Sequence, residues 1–283
     1  MKNRGQNKFL KIAYSLIAVA VFVVLLVFTF PDRQSTLTRT HYPVVIMGDS
    51  IMGQSRGETS VAEQLAGILN VPVYNGAFGG TSLSVQKDAK TSYTADLMNM
   101  VGLSKAIVAD DFGVQQTARS RREITDYYVP VVDELECVDF DRVEVLVLAF
   151  GVNDYHAGVP LDNEKHSMDE TTFGGALRSV ISTLQDKYPD MRIVLATPTY
   201  AWYRGKNLTC EEYERGGVYL VDYVEKELAV AEEMGVEVVD LYHDVYPHEK
   251  WEDWEIYTED GLHPNEEART LLARILAKQI KNL

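Results

Sequence analysis

The sequence predicts an α/β domain, a parallel β-sheet covered by helices on both faces, behind one membrane-crossing helix. Three observations lead there. Short apolar runs rich in Val, Ile and Leu alternate with segments whose apolar residues recur at helical spacing. Those runs are continuously apolar, as strands buried on both faces are. Ahead of them lies one long uncharged stretch near the N-terminus.

That stretch, residues 12–30, reads IAYSLIAVAVFVVLLVFTF, nineteen residues without a charge. A helix of this length spans a hydrocarbon core of roughly 30 Å. Lys2, Arg4, Lys8 and Lys11 precede it, with no acidic residue among residues 1–11. This asymmetry keeps the N-terminus cytoplasmic and the remainder extracytoplasmic, in a single-pass protein of the cell membrane. A cleavable signal peptide is the rival, but its apolar region is usually about 7–15 residues and ends in a small-x-small site. Here the run ends Thr29-Phe30-Pro31-Asp32, with no cysteine for a lipoprotein anchor. Either reading puts the domain outside the cytoplasm. Residues 31–41, PDRQSTLTRTH, read as a polar tether, and residues 42–283 as the domain.

Within the domain, Pro43–Met47 is a short apolar run ending at Gly48, a buried strand. Ser60 and Glu63 form a capping box for a helix with Val61, Leu65, Ile68 and Leu69 on its apolar face. Val71–Tyr74 is a second strand, followed by the glycine-rich turn Asn75–Gly80. Between Ser82 and Asp141 helices are expected, but Pro130 interrupts the pattern and no boundaries are legible. Val143–Phe150 is the strongest strand, stopped by Gly151. A helix with Phe173, Leu177, Val180, Ile181 and Leu184 on one face follows, then a strand over Arg192–Thr197. Val221, Val224, Leu228 and Ala231 mark another helix, with Gly235 as its stop. Val236–Leu241 is the fifth strand, and Asn265 caps a last helix that buries Leu271, Leu272, Ile275 and Leu276.

Charge narrows the partners. The net charge is −15, and removing the four basic residues before the apolar stretch leaves 23 basic against 42 acidic residues, or −19. Such a domain repels nucleic acid and anionic lipid surfaces. Only Cys137 and Cys210 are present, with no CxxC, which argues against a structural zinc site or a thioredoxin-like centre. The two cysteines either pair in an oxidising compartment or stay as buried thiols.

In open parallel sheets, ligands bind beyond the carboxyl ends of the strands. Four segments sit there: Gly48-Asp49-Ser50, the turn ending at Gly80, Gly151-Val152-Asn153-Asp154, and Asp260-Gly261-Leu262-His263 before the last helix. Together they hold the parts of an acyl-transfer site. A serine hydroxyl needs a base, a histidine can be one, and the histidine needs an acceptor on its other ring nitrogen. Asp260, three residues before His263, can reach that nitrogen. An oxyanion needs preorganised donors, which the N–H of Gly80 and the side chain of Asn153 can supply. Each piece alone is common: serines after strands are mostly turn or cap residues, and Asn-Asp mostly marks a turn. Their joint placement is the signal.

These residues resemble the signature blocks of the SGNH (GDSL) hydrolase superfamily. Gly48-Asp49-Ser50-Ile51 looks like its Gly-Asp-Ser-Leu block, with Ile for Leu. Asn75 and Gly80 look like its second block, Gly151 to Asp154 like its Gly-x-Asn-Asp block, and Asp260 to His263 like its Asp-x-x-His block. The resemblance implies a three-layer α/β/α sandwich with a five-stranded parallel sheet, flavodoxin-like in arrangement. It implies Ser50 as nucleophile, completed by Asp260 and His263. It implies an oxyanion hole from the Ser50 N–H, the Gly80 N–H and Asn153, and neither metal nor organic cofactor. Asp49 is expected to tie down the nucleophile loop.

His156, His166, His243 and His248 lack the spacing of a metal site and read as surface or structural residues. Tyr200, Trp202 and Tyr203 follow strand four, and Trp251 and Trp254 precede the Asp-His loop. They either pack in the core or stack on sugar rings. Asn207-Leu208-Thr209 fits a glycosylation sequon. The expected activity is hydrolysis of acyl esters, O-acetylated carbohydrate first among substrates. An acyltransferase with the same acyl-enzyme and a non-catalytic glycan-binding protein are the alternatives.

Overall fold

Five short runs of mostly Val, Ile, Leu and Ala pair side by side: β1 (Val44–Gly48), β2 (Val73–Asn75), β3 (Val145–Ala149), β4 (Arg192–Ala196) and β5 (Glu237–Val239). All neighbours are parallel, in the order β2-β1-β3-β4-β5. Every residue of β1 and β3 is buried, which is why both are apolar without alternation. Their register runs from Val44 opposite Val145 to Gly48 opposite Ala149. The strand order reverses direction between β1 and β3, so the crevice at the carboxyl ends of these two strands is where a site is expected. The computed structural model describes residues 38–86, 98–117 and 128–281, and its compact unit spans Thr40–Leu283.

The helices are α1 (Ser50–Gly53), α2 (Val61–Leu69), α3 (Met100–Ala109), α4 (Tyr128–Glu136), α5 (Val152–Ala157), α6 (Phe173–Lys187), α7 (Leu220–Met234) and α8 (Glu266–Ile280), besides short ones over Gly113–Gln116, Leu241–Asp244 and Trp254–Tyr257. Helices α2 and α8 pack on each other, and α6 packs against both α3 and α7, giving two helical groups beside the sheet. An α/β fold with a five-stranded parallel sheet is thus present. Residues 12–30 and the basic residues before them lie outside the described residues. Among the described residues, no helix is long and apolar enough to cross a membrane.

Local chemistry explains the boundaries. Ser60 Oγ accepts from the Glu63 N–H at 3.2 Å and starts α2. Asn265 Oδ1 accepts from the Ala268 N–H at 3.0 Å and starts α8. Gly235, at φ +65°, stops α7. The strands over Val145–Ala149 and Glu237–Val239 are one or two residues shorter than their apolar runs at each end and β4 ends one residue early, whereas β1 and β2 start later than expected and run one residue further, to Gly48 and Asn75.

Some faces are rotated from the expectation. Ile68 is 50% exposed, because α8 covers the Val61, Ala62 and Leu65 side of α2 instead. On α7 the buried stripe is Leu220, Tyr223, Val224, Glu227, Val230 and Ala231, while Val221 and Leu228 are only half-buried. Pro130, which interrupts the apolar pattern in the sequence, lies inside α4. Both cysteines are free thiols, with Cys210 buried beside the Tyr242 hydroxyl at 3.4 Å.

Gly151 makes the sharp exit from β3. Its φ is +123°, and a Cβ there would lie 2.8 Å from Pro198 Cγ and 3.3 Å from Phe173 Cζ. Gly151→Ala is therefore expected to cost about 2–4 kcal/mol, from strain and overpacking together. The midpoint of urea unfolding would report it. An unchanged midpoint would show that the β3–α5 junction relaxes freely.

Candidate active site

The nucleophile loop is set by close approach of two strands. At Gly48 a Cβ would stand 2.8 Å from the Ala149 carbonyl. One residue on, the Asp49 N–H continues the ladder to the same carbonyl at 3.3 Å. Asp49 Oδ1 then accepts from the Ile51 N–H at 2.9 Å, capping α1, and Ser50 becomes the first residue of that turn. N–H groups in the first turn of a helix have no intrahelical partner, and the Ser50 N–H is one of them. Asp49 is fully buried. Burial pushes its carboxyl up to about 7, with Asp154 nearby adding to the rise, against hydrogen bonds from Ile51 and Asn153.

The second segment is laid along β1. Gly76 and Phe78 donate to the Ile46 and Gly48 carbonyls at 2.8 and 2.9 Å, extending the sheet past β2. The chain turns between Phe78 and Thr81, with Gly80 third in the turn at φ +77°. That position of a type II turn requires positive φ, hence glycine. Gly79 has no such requirement, so the backbone distinguishes the two glycines. Gly80 is exposed and Ser50 half-buried.

Beyond β3, α5 presents Asn153 and Asp154. Asn153 Nδ2 donates to the Thr81 carbonyl at 2.9 Å, and its side chain also bonds the Asp49 carboxyl. Asp154 is completely buried and accepts from the N–H groups of Leu83 and Ser84.

The fourth segment is pinned from several sides. Gly261, at φ +98°, presses against the Trp202 carbonyl and accepts from the Trp202 N–H at 2.7 Å. The Gly261 N–H donates to Thr258 Oγ1 at 2.8 Å, and the Glu259 N–H to the His263 carbonyl at 2.8 Å. Within this loop Asp260 Oδ1 accepts from the N–H groups of Leu262 and His263 at 3.0 and 2.8 Å. Its Oδ2 lies 2.8 Å from His263 Nδ1, and His263 Nε2 lies 3.0 Å from Ser50 Oγ. Burial alone would raise the Asp260 carboxyl, but the bonds from His263 and Leu262 hold it below its ordinary value. An ionised Asp260 accepts from Nδ1–H, which leaves Nε2 free to accept the Ser50 proton.

Thus Ser50, His263 and Asp260 form one hydrogen-bonded chain, and Gly80 and Asn153 stand on the neighbouring strand ends. Asp49 ties the loop. The spacing of the Asp-His pair is not distinctive: Asp240-Leu241-Tyr242-His243 repeats it. There Asp240 Oδ1 accepts from the His243 N–H at 3.0 Å and Oδ2 lies 2.8 Å from His243 Nδ1, the same local arrangement without a serine.

The structure also corrects and adds residues. Tyr200 and Trp202 are buried core residues and offer no face to a sugar. Trp254 is half-buried, with the Arg204 guanidinium 3.7 Å from its ring centre. His156 Nε2 lies 2.8 Å from the Tyr203 hydroxyl. Burial, then the Arg215 and His263 charges, lower its pKa to about 4, so it stays neutral. Glu227, on the buried face of α7, was not legible: its Oε2 has no hydrogen-bond partner among the described residues. Burial, then Asp154, Asp240 and Asp49, push its carboxyl well up.

Among solved structures the chain is similar to a protein from Lactobacillus plantarum, at 20% identity and a TM-score of 0.58, covering 85% of this chain and 97% of that one. It is also similar to a protein described as a possible lipase from Chitinophaga pinensis, at 20% identity, a TM-score of 0.53 and 83% and 95% coverage. A third similar structure is the salicylyl-acyltransferase SsfX3 of a tetracycline biosynthetic pathway, at 14% identity and a TM-score of 0.50, covering 87% of this chain and 55% of that one. At these identities the likeness is one of fold. No protein of curated function matches the sequence. Residues 46–271, from within β1 through the nucleophile loop and the four later strands to the Asp260–His263 loop and into α8, match a family model, and on that match the chain belongs to the GDSL-like Lipase/Acylhydrolase family.

Proposed function

We propose that this protein is an extracytoplasmic serine esterase that hydrolyses acyl esters, O-acetylated carbohydrate foremost. The observation that carries the reading is the continuous chain Asp260–His263–Ser50, with contacts of 2.8 and 3.0 Å. Ser50 Oγ attacks the ester carbonyl as His263 Nε2 takes its proton. The alcohol leaves with that proton. Water, activated by the same imidazole, then releases the acid and restores Ser50. The N–H groups of Ser50 and Gly80 are the oxyanion donors. Asn153 joins them by sharing an N–H now held by the Thr81 carbonyl or Asp49.

The location is supported by the uncharged run at 12–30 behind four basic residues.

A fluorophosphonate ester tests the mechanism. It is expected to phosphonylate the protein once, on the peptide containing Ser50, as read by mass spectrometry. p-Nitrophenyl acetate should be hydrolysed faster than the octanoate. A label on another residue, or none, would refute Ser50 as nucleophile. Diversion of the acetyl group to a sugar acceptor would make the protein a transferase.

A further inference from the structure

Thr81, Ser82 and Ser84 are almost completely buried, although residues 81–84 belong to no strand or helix. Buried backbone groups must find partners. On one side, the Ser82 and Leu83 carbonyls accept from the Met100 and Val101 N–H groups at 3.1 and 3.3 Å. On the other, the Leu83 N–H donates to Asp154 Oδ2 at 2.8 Å and the Ser84 N–H to Oδ1 at 3.0 Å. The Ser84 hydroxyl donates to Oδ1 as well. Asn153, the preceding residue, holds the Thr81 carbonyl. Two consecutive side chains at the start of α5 therefore grip the four residues that immediately follow Gly80.

We propose that Asp154 is a positioning residue for the reaction at Ser50: through Leu83 and Ser84 it holds the turn that carries the Gly80 N–H against the carboxyl ends of β1 and β3. The inference rests on the esterase reading above. A carboxylate suits this task because its two oxygens accept three donors at once, whereas an amide has one acceptor oxygen and would turn N–H₂ toward a backbone N–H. The clamp also recognises the charged form. Burial lifts the Asp154 carboxyl to about 6, and the bonds from Ser84 and Leu83 oppose that rise. Asp154 makes no ion pair among the described residues, and its charge acts on Asp49, just past β1, and on Glu227 and Tyr223, on α7. No hydrogen bond joins Asp154 to Ser50; its side-chain hydrogen bonds act on the turn, and only its charge reaches Asp49 beside the nucleophile.

Asp154→Asn and Ser84→Ala in the full chain test this. Amide hydrogen exchange is followed over residues 80–84. In parallel, kcat and KM for p-nitrophenyl acetate are measured at a temperature where circular dichroism shows the variants folded. Because an oxyanion donor acts mainly in the transition state, Asp154→Asn is expected to lower kcat about 10–100-fold with KM within about twofold. Exchange over 80–84 should quicken at least about tenfold, and Ser84→Ala should lower kcat severalfold. A lower melting temperature with unchanged kcat would reduce Asp154 to a stabilising residue and overturn the proposal, as would unchanged exchange. If Asp154→Asn does not fold, Ser84→Ala decides by the same two readouts. A wild-type protein with no ester hydrolysis would refute the esterase reading, and the exchange data would still judge the clamp.

Discussion

Ser50→Ala is expected to lower kcat for p-nitrophenyl acetate by about 10³–10⁴-fold or more, with KM little changed. The hydroxyl makes one relevant contact, 3.0 Å to His263 Nε2, and no other serine or cysteine is within reach of that imidazole among the described residues. His263→Ala should cause a loss of similar size. The double variant should be no worse than either single one, because nucleophile and base act as one unit. Asp260→Ala should be milder, about 10–10²-fold by the same logic of partial preorganisation. The Asp260 side chain is 51% exposed, so water can replace part of its stabilisation of the imidazolium. Steady-state kinetics on the three single variants and the Ser50/His263 double variant would check this order. Substantial turnover in Ser50→Ala, or additive losses in the double variant, would refute the shared mechanism.

Glu227→Gln is expected to stabilise the protein, and more so as pH rises. Glu227 is 1% exposed, with Oε2 unpartnered and three carboxyl groups as its charged neighbours. Its pKa in the fold is raised well above the ordinary 4.5. Above the unfolded value the native state therefore holds a proton that the unfolded chain has lost, and stability falls with rising pH until the native group also ionises. Asp49 and Asp154, raised from 3.8 to about 7 and about 6, act in the same direction over those windows. His156, lowered from 6.5 to about 4, opposes them between those values. Glu233 and Glu237, held low by Arg178 and Arg192, act only below their ordinary range. Glutamine keeps the shape and never ionises. Wild type and variant should melt almost together near pH 5. By pH 8 the variant should be ahead, the gap growing by about 1.4 kcal/mol per pH unit up to the native pKa. A gap that is constant or shrinks with pH would show that Glu227 is ionised and paired in the fold.

Much of the scaffold was legible because its causes are local. The continuous apolar runs of β1, β3 and β4 announce strands covered on both faces, and Ser60, Asn265 and Gly235 mark helix ends through their own hydrogen bonds or φ. Ile68 misled because helical periodicity gives a stripe but not which side of it the neighbouring helix covers. Glu227 was invisible for the converse reason: a carboxyl on the core face breaks the pattern that identifies the face. Tyr200 and Trp202 show the same limit, since an aromatic after a strand can line a site or fill the core, and only burial separates the two. The stretch around Thr81–Ser84 was unreadable because its backbone partners lie far off, Asp154 being 71 residues beyond Leu83.

The two Asp-x-x-His segments divide the problem most clearly. The sequence by itself determines the local pairing, because an aspartate three residues before a histidine accepts its N–H and meets its Nδ1 within one turn of chain. Asp240–His243 and Asp260–His263 accordingly look alike. Only the tertiary structure decides which histidine meets a serine. His263 and Ser50 are 213 residues apart, and they meet because β1 and β3 approach closely at Gly48 while the Trp202 backbone and Thr258 fix the loop above. Bonds within one turn follow from spacing. A contact across 213 residues exists only where the packed sheet and helices have already fixed both ends.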